Sequence, residues 1–407
     1  MNCRGIPHDA VIVGGGMVGA ALAADLGQRG WRVGLVEARP PRPIEPDSAY
    51  RLRVSALNRR ATAYLDRLGA WHRISATRAC PYDRLSVWDG PGRARLTFRA
   101  EELHDGARYL GHIVENELVQ GALWAALDAC PTVVRYASRY ASRLSPSPFG
   151  ACIHLEDGRS LHGNLIVAAD GAHSRLRQTA GIPLQVRDYR QSAVVAQVRT
   201  RTPQQQSITW QRFTAEGPQA FLPLVGPRAS LVWYTTPDRA RHLAELPAGQ
   251  LREALEAAFP AELGGLEAVE QRASFPIRAQ HAYAYAGPGL VLVGDAAHTI
   301  HPLAGQGVNL GFRDAEALGR LLAEAANRGH PPDDPTVLSA YARERRRDNQ
   351  LMQSSMTAIR AGFESQRWPL PALRQCGLRL ARHALCVETT AQAVLKASFQ
   401  NQIFFVE

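Results

Sequence analysis

Apolar runs that alternate with a helical pattern open the chain. Residues 10–13 have the length and composition of a short buried strand, residues 20–28 have helical spacing, and residues 31–36 read as a second strand. The second strand ends at Glu37. Strand, helix and strand in this order predict a βαβ unit, the building element of a parallel α/β sheet.

Two later apolar runs are also strand-like, and each ends beside a glycine–aspartate pair. Residues 165–168 lead into Asp170, which glycine follows, and residues 289–293 lead into Asp295, which glycine precedes. An amphipathic helix is predicted over residues 313–326 after the second run. Polar side chains are therefore predicted at the carboxyl ends of buried strands.

The turn after the first strand carries the pattern G-x-G-x-x-G at Gly14, Gly16 and Gly19. Gly14 permits the tight turn, Gly16 lets the backbone approach a pyrophosphate, and Gly19 allows the helix to pack closely on the strand. The phosphates then lie at the helix N-terminus, where free N–H groups favour negative charge. Glu37 can accept hydrogen bonds from both ribose hydroxyls of an adenosine and would repel a 2′-phosphate. The turn predicts FAD or NAD rather than NADP, and leaves the choice between FAD and NAD open.

The stretch after the last predicted strand favours flavin. A carboxylate at a strand end, here Asp295, can bind the hydroxyls of a ribityl chain, and glycines let the backbone pass close beneath a flat ring. The following helix presents N–H groups toward the edge of an isoalloxazine where charge develops on reduction. Packing of small residues alone does not explain Asp295 together with Pro302, Gly305 and Gly307.

In their order along the chain, these motifs resemble those of the single-component FAD-dependent aromatic hydroxylases. The set reads G-x-G-x-x-G, A-D-G-A-x-S-x-x-R and G-D-A-A-H-x-x-x-P-x-x-G-Q-G-x-N, beginning at Gly14, Ala169 and Gly294. The stretches 53–58, 114–117 and 298–311 are similar to the ubiquinone-biosynthesis hydroxylases of that family. Shorter stretches resemble the subgroup that hydroxylates demethoxyubiquinol; these are 81–85, 221–224, 229–234 and 352–354.

The resemblance implies a monooxygenase that hydroxylates a polyprenylated benzoquinol ring in ubiquinone biosynthesis. FAD is the expected tightly bound, non-covalent cofactor, NAD(P)H the transient reductant and O2 the co-substrate, with a flavin C4a-hydroperoxide transferring oxygen. Two alternatives stay open. One is a sibling hydroxylase acting at another ring position, of the octaprenylphenol type, and the other is a flavin-binding scaffold of the biosynthetic complex without turnover.

The resemblance also implies the residues that bind flavin. Arg53 is expected to reach the pyrophosphate and neutralise part of its charge. Many relatives carry arginine where this chain has Asn116, so Gln120 is the expected substitute that reaches the pyrophosphate or the ring. No catalytic base and no metal ligand are assigned. The complete expected set is Gly14, Gly16, Gly19, Glu37, Arg53, Gln120, Asp170, Asp295, Pro302, Gly305, Gly307 and Asn309.

The spread of these motifs predicts an α/β fold with a discontinuous flavin domain. We expect a Rossmann-like FAD-binding domain of the aromatic hydroxylase, or glutathione-reductase, type, with an interleaved mixed β-sheet that binds substrate and with C-terminal helices. The flavin domain is expected from residues 1–75, 105–182 and 274–345, the substrate domain from 76–104 and 183–273, and the helical region from 346–407.

Two further stretches bear on the substrate. Between residues 210 and 234, aromatic and aliphatic side chains with few charges are candidates for an apolar wall against an isoprenoid tail. Residues 373–387 have apolar positions at helical spacing with basic residues on other faces. They fit either a basic amphipathic helix on an anionic membrane or a helix packed on its own protein.

Composition bears on compartment and partners. The net charge is +10, and Lys396 is the only lysine, so arginine supplies almost all of the positive charge. A basic surface can meet an anionic cofactor or membrane, or be simply solvated. The six cysteines include no C-x-x-C pair, and no apolar run is long enough to span a bilayer. We expect a cytoplasmic protein whose partners are a prenylated quinol and a multiprotein ubiquinone-biosynthesis complex, not nucleic acid; peripheral membrane contact and homo-oligomers stay open.

Overall fold

The computed structural model describes residues 8–90, 95–103, 105–147, 150–201, 207–300 and 307–364, the last of them without side chains beyond residue 354. Within these ranges the chain folds into three β-sheets with helices packed around them. The predicted amphipathic helix at 373–387 lies outside the described residues.

The first sheet is mostly parallel, as the βαβ pattern predicted. Its strands are β1 (His8–Val13), β2 (Val33–Glu37), β8 (Val133–Ala137), β9 (Ala141–Ser147), β10 (Gly150–Leu155), β11 (Ser160–Ala168), β17 (Ala286–Gly287) and β18 (Leu290–Leu292). β1 lies between β2 and β11, and β18 is parallel to β11 on the other side. Because parallel strands end at the same edge, the loops after β1, β11 and β18 meet there. These loops carry Gly14, Asp170 and Asp295.

The second sheet has strands that come from distant parts of the chain. They are β5 (Arg84–Asp89), β6 (Arg95–Arg99), β12 (Leu184–Thr200), β13 (Ile208–Thr214), β14 (Gly217–Leu224), β15 (Arg228–Thr235), β16 (Leu266–Ala282) and β19 (His298–Thr299), in the order β19-β16-β12-β15-β14-β13-β5-β6. A small third sheet pairs β3 (Val54–Asn58) and β4 (Cys80–Tyr82) with β7 (Gly111–Glu115) between them.

The helices cover both large sheets. They are α1 (Met17–Gln28), α2 (Arg59–Arg67), α3 (Trp71–Arg78), α4 (Asn116–Ala126), α5 (Arg175–Thr179), α6 (Pro237–Glu245), α7 (Ala248–Ala258), α8 (Gly307–Ala326) and α9 (Pro335–Glu364). α8 begins at Gly307, earlier than the predicted residue 313, because small residues such as Gly311 let it pack directly on Val18 of α1. In the part of the chain that the structure describes, no helix is long and apolar enough to cross a bilayer.

Two elements run across the expected domain boundaries. β16 continues unbroken from residue 266 to 282, past the expected boundary at 273, because it pairs along its length with β12. α9 likewise continues through residue 345. We therefore propose that the substrate sheet includes all of β16 and the short strand β19.

The apolar residues between 210 and 234 are divided between the two faces of the second sheet. Side chains alternate along a strand, so neighbours in sequence face opposite sides. Trp210, Phe221, Leu231 and Trp233 belong to a core cluster under α6 and α7. The opposite face carries Phe213, Leu222 and Leu224, which pack with Ile300, Leu310 and residues of the third sheet. Val232 and Tyr234 lie on this second face as well, so about half of the expected wall is on the side of Ile300 and Leu310 and available to a substrate.

Candidate active site

The turn after β1 requires glycine at two of its three predicted positions. Gly14 has a φ of +108°, and a Cβ there would lie 2.2 Å from the carbonyl oxygen of Ala169. A Cβ on Gly19 would lie 1.9 Å from the carbonyl oxygen of Gly14. Both contacts are far shorter than van der Waals separation, so these glycines allow β1, β11 and α1 to approach one another.

Gly16 has a different environment from the other two glycines. A Cβ built on it would meet no protein atom within 4 Å, so the space above Gly16 is open. Gly16 is also the N-cap of α1, whose first turn contains no acidic residue and receives no side-chain cap. Unpaired N–H groups at an uncapped helix start, facing open space, fit the pyrophosphate of a dinucleotide.

Glu37, at the end of β2, fixes the shape of this turn. One carboxylate oxygen accepts the N–H of Gly15 at 2.6 Å, and the other accepts the N–H of Arg39 at 2.7 Å. Each carboxylate oxygen has two lone pairs, so both retain capacity for another donor. The structure thus gives Glu37 a role in the turn that the sequence did not indicate, alongside the predicted binding of a ribose.

Two side chains of α4 bind the same turn from the opposite side. Gln120 Nε2 donates to the carbonyl oxygen of Gly15 at 2.8 Å, and Trp124 Nε1 donates to it at 2.7 Å. Gln120 therefore lies at the glycine turn with its side chain directed at the turn's backbone, and its contact with the pyrophosphate or the ring stays a prediction. Trp124 was not predicted, although it lies four residues after Gln120 and therefore on the same face of the helix.

The Asp-Gly turn after β11 contains an unsatisfied acceptor and a buried cation. Asp170 Oδ2 accepts the N–H of Leu176 at 3.2 Å, whereas Oδ1 is buried and has no hydrogen-bond partner. Arg177 is 2% exposed and donates to the carbonyl oxygens of Ala296 at 2.8 Å and Ala172 at 3.2 Å. Burial lowers the pKa of Arg177, and Asp170 opposes that shift. Arg177, the last residue of the A-D-G-A-x-S-x-x-R pattern, thus ties this turn to the one that contains Asp295.

Asp295 is the predicted ribityl ligand, and its side chain is open to solvent. The surrounding protein nevertheless raises the pKa of its carboxyl, and the charges of His298 and then Arg53 only partly offset that shift. Arg53 is exposed and near enough to Asp295 to act on its pKa, and we propose that it offsets the charge of an anionic cofactor beside Asp295.

A buried charge network supports the turn before Asp295. Asp314 of α8 accepts hydrogen bonds from His298 Nε2 at 2.5 Å, from the N–H of Gly294 at 3.0 Å and from Arg345 Nε at 2.8 Å. Asn349 Nδ2 lies 3.2 Å from the same carboxylate. Burial alone would raise the pKa of Asp314, but His298 and Arg345 outweigh it and hold the pKa below its usual value. Asp314 is therefore ionised and fixes the Gly-Asp turn.

Two of the remaining predicted residues, Gly307 and Asn309, lie in the first turn of α8. Asn309 donates to the carbonyl oxygen of Ala56 at 2.8 Å and accepts the N–H of Asn58 at 3.2 Å. Its amide therefore holds α8 against β3, and its expected contact with flavin stays a prediction. A Cβ on Gly307 would meet no protein atom within 4 Å, so the first turn of α8 is open. Pro302 and Gly305 lie outside the described residues.

The sequence is similar to known flavoproteins over nearly its whole length. A family model described as an FAD binding domain matches residues 8–355. The 3-demethoxyubiquinol 3-hydroxylase of Escherichia coli is 42% identical over 93% of this chain and 95% of its own. The human mitochondrial ubiquinone biosynthesis monooxygenase COQ6 is 32% identical over 91% of this chain and 89% of its own. These matches confirm the resemblance to the ubiquinone-biosynthesis hydroxylases.

Solved structures support the fold. PqsL of Pseudomonas aeruginosa superposes with a TM-score of 0.76 at 24% identity, covering 92% of this chain and 99% of its own. The p-nitrophenol 4-monooxygenase PnpA of Pseudomonas putida gives the same TM-score at 20% identity, over 93% and 96% of the two chains. The described elements therefore have the aromatic hydroxylase fold. From the family match and the identity to its relatives, this chain belongs to the FAD binding domain family, as a flavin-dependent monooxygenase of the kind that acts on aromatic rings.

Proposed function

We propose that the protein hydroxylates the benzoquinol ring of a demethoxyubiquinol, a polyprenylated intermediate of ubiquinone biosynthesis. The observation that carries this proposal is the 42% identity to the Escherichia coli 3-demethoxyubiquinol 3-hydroxylase across almost the full length of both chains. The identity to COQ6 proteins is lower, at 32–34%. The difference favours the ring position of the bacterial enzyme.

FAD fits the cleft at the edge of the first sheet. The open space at Gly16 and the uncapped start of α1 suit its pyrophosphate, and Glu37 suits the adenosine ribose. Asp295 suits the ribityl chain, and Arg53 offsets the charge of the phosphates. Bound FAD would supply the redox chemistry of the reaction, with NAD(P)H as reductant and O2 as the source of the oxygen atom that enters the ring.

The apolar face of the second sheet is the proposed substrate side. Phe213, Leu222 and Leu224 are all less than 5% exposed and share a cluster with Ile300 and Leu310. An apolar wall excludes water and offers an isoprenoid tail a surface without charge. The proposed role of this face is therefore to orient the quinol ring toward the flavin while the tail packs on the wall.

The surroundings in which the protein works form a second part of the proposal. A lipophilic quinol resides in a membrane, and the net charge of +10 favours contact with an anionic lipid surface. We propose a peripheral, salt-sensitive membrane contact and membership of a multiprotein ubiquinone-biosynthesis assembly. Co-sedimentation with anionic vesicles, compared with neutral ones, at low and high salt tests the membrane contact.

The decisive genetic test is deletion of the gene, followed by mass spectrometry of the quinone pool. Accumulation of a demethoxy intermediate, reversed by the wild-type gene, is the expected result. Accumulation of an octaprenylphenol-type intermediate would instead indicate hydroxylation at a sibling ring position. Unchanged ubiquinone would overturn the assignment to this pathway. A variant that has lost FAD binding, as we predict for Gly16→Val, should fail to complement the deletion. A scaffold without catalytic activity would not require FAD turnover.

A further inference from the structure

The segment 46–53, which leads into β3 and ends at Arg53, is held by residues at the end of β7 and the start of α4. Glu115 Oε1 accepts the N–H of Arg51 at 2.6 Å, and the N–H of Asn116 donates to the carbonyl oxygen of Arg53 at 3.0 Å. Glu117 forms an ion pair with the side chain of Arg51 at 3.3 Å. Three consecutive residues thus bind the backbone or side chains of this one segment.

Arg78, at the end of α3, binds the same segment from within the protein. Its side chain is 5% exposed, and its Nε lies 2.9 Å from Oε2 of Glu115, whose side chain is 1% exposed. Its Nη1 donates to the carbonyl oxygen of Ser48 at 2.5 Å, and its guanidinium lies 4.2 Å from the ring centre of Tyr50. The Arg78–Glu115 pair therefore connects α3, β7 and residues 48–51.

The substrate sheet binds the other side of the segment. Gln271 of β16 donates to the carbonyl oxygen of Tyr50 at 2.6 Å, and Gln197 of β12 donates to that of Arg51. Tyr50 Oη donates to the carbonyl oxygen of Val225 at 3.3 Å. The backbone of residues 50–51 is thus fixed between the second sheet and the Arg78–Glu115 pair, two residues before Arg53.

A buried ion pair is an expensive way to gain stability, because desolvating two charges offsets most of their attraction. This pair has another evident consequence, since both partners also bind the backbone of residues 48–51. We propose that Arg78 and Glu115 are positioning residues for the flavin, which fix this backbone so that the side chain of Arg53 is directed at the pyrophosphate. The proposal rests on the role proposed above for Arg53.

A double-mutant cycle on FAD affinity tests this proposal. Apoproteins carrying Arg53→Ala, Glu115→Gln or both are titrated with FAD, and the dissociation constants are compared with that of the wild type. Arg53→Ala should weaken binding by about tenfold, the effect of losing one charge-assisted hydrogen bond. Glu115→Gln should weaken it by a similar factor, and the double variant by no more than about threefold beyond either single variant.

The control is Asp25→Asn, which removes the charge of a buried carboxylate in α1 that pairs with the exposed Arg29 just after the helix. Combined with Arg53→Ala, it should leave the tenfold effect of Arg53 intact, which separates positioning from a general loss of stability. If Glu115→Gln does not fold, Arg78→Lys replaces it, because lysine keeps the charge but cannot bind Glu115 and Ser48 together.

Three other outcomes would contradict the proposal, and they distinguish a failure of the positioning role from a failure of the role of Arg53. Multiplied effects in the double variant, about a hundredfold in all, would leave Arg53 at the pyrophosphate and overturn the positioning role of Glu115. An unchanged affinity in Glu115→Gln would overturn it too. An unchanged affinity in Arg53→Ala would remove Arg53 from the flavin site, and the positioning role with it.

Discussion

Asp314 lies 2.5 Å from Nε2 of His298, and both side chains are almost completely buried. Asp314 belongs to α8, whereas His298 lies in β19, which pairs with β16 of the second sheet. The same carboxylate oxygen accepts the N–H of Gly294. One ionised carboxylate therefore joins the helix beneath the proposed flavin ring, the Gly-Asp turn and the substrate sheet.

Removing the charge of Asp314 should destabilise the fold strongly. Asp314→Asn leaves the buried Arg345 without its innermost partner, at a cost of about 3–5 kcal/mol in the free energy of unfolding. Arg320→Gln is the control, because Arg320 forms only exposed ion pairs and should change that free energy by less than about 1 kcal/mol. Denaturant unfolding measures both variants. Equal losses in the free energy of unfolding for the two variants would mean that the charge network around Asp314 does not support the fold.

The glycines of the first turn should separate folding from cofactor binding. Gly14→Ala places a methyl group 2.2 Å from a carbonyl oxygen at a positive φ, so the apoprotein itself should lose stability. Gly16→Val meets no protein atom within 4 Å of its Cβ, so its apoprotein should melt near the wild-type temperature. FAD should nevertheless bind Gly16→Val poorly. Normal FAD binding by Gly16→Val would show that the phosphates lie elsewhere.

Asp295 should control retention of the flavin. Asp295→Ala removes an acceptor for the ribityl hydroxyls, and a hydrogen bond to a charged group contributes about 1.5–3 kcal/mol. The purified variant should therefore contain far less flavin, measured by absorbance. Asp157→Ala, which disrupts exposed ion pairs at a hairpin turn, is the control and should remain yellow. A fully flavinated Asp295→Ala variant would contradict the assignment.

The buried His281 should make the fold sensitive to acid. Burial, and then the charges of His298 and Arg346, lower the pKa of His281 to about 4, with Asp314 opposing them. The unfolded chain takes up this proton near pH 6.5, so between about pH 6.5 and 4 it binds more protons than the native state, and stability falls as the pH falls. His281→Gln should reduce this slope in melting temperature against pH. An unchanged slope in His281→Gln would contradict the account. Part of the slope should remain in this variant, because the pKa of His112 is also lowered to about 4.

Two leucines on neighbouring strands test which face of the second sheet meets the substrate. Leu222 belongs to the cluster that contains Ile300 and Leu310, and Leu231 belongs to the cluster under α6 and α7. Replacing either by alanine should cost about 2–4 kcal/mol of stability. Only Leu222→Ala should raise the KM for the quinol, while the affinity for FAD stays unchanged. A comparable rise in KM for Leu231→Ala would mean that our account places the substrate on the wrong face of the sheet.

The local parts of the site were predictable because each lies within one short stretch. The turn at Gly14, Gly16 and Gly19 follows a strand and begins a helix, so its backbone geometry could be predicted from spacing alone. Asp170 and Asp295 were placed near strand ends in the same way, and the contacts of all five residues with a cofactor stay predictions. The family resemblance was recognisable because its motifs are long and ordered, and the matches to known proteins confirm it.

The supporting contacts were not predictable, because they join residues far apart in the sequence. Nothing in the pattern around Arg345 distinguishes it from its exposed neighbours, yet it is buried against Asp314. The stretch 114–117 gave Glu115 no role of its own, and its partner Arg78 lies 37 residues away. Asn309 was expected at the flavin, and the hydrogen bond of its amide to β3 was not predicted. Such pairings depend on the tertiary fold and leave no periodic signal.

The central claim is that this flavoprotein inserts one atom of O2 into a demethoxyubiquinol ring. The most direct test is to incubate the purified holoenzyme with NAD(P)H, a demethoxyubiquinol and O2 labelled with oxygen-18, and to analyse the product by mass spectrometry. We predict a hydroxylated quinol carrying one labelled oxygen atom, with NAD(P)H oxidation that depends on the quinol. NAD(P)H oxidation without any labelled quinol product, in an enzyme that retains its FAD, would contradict the claim.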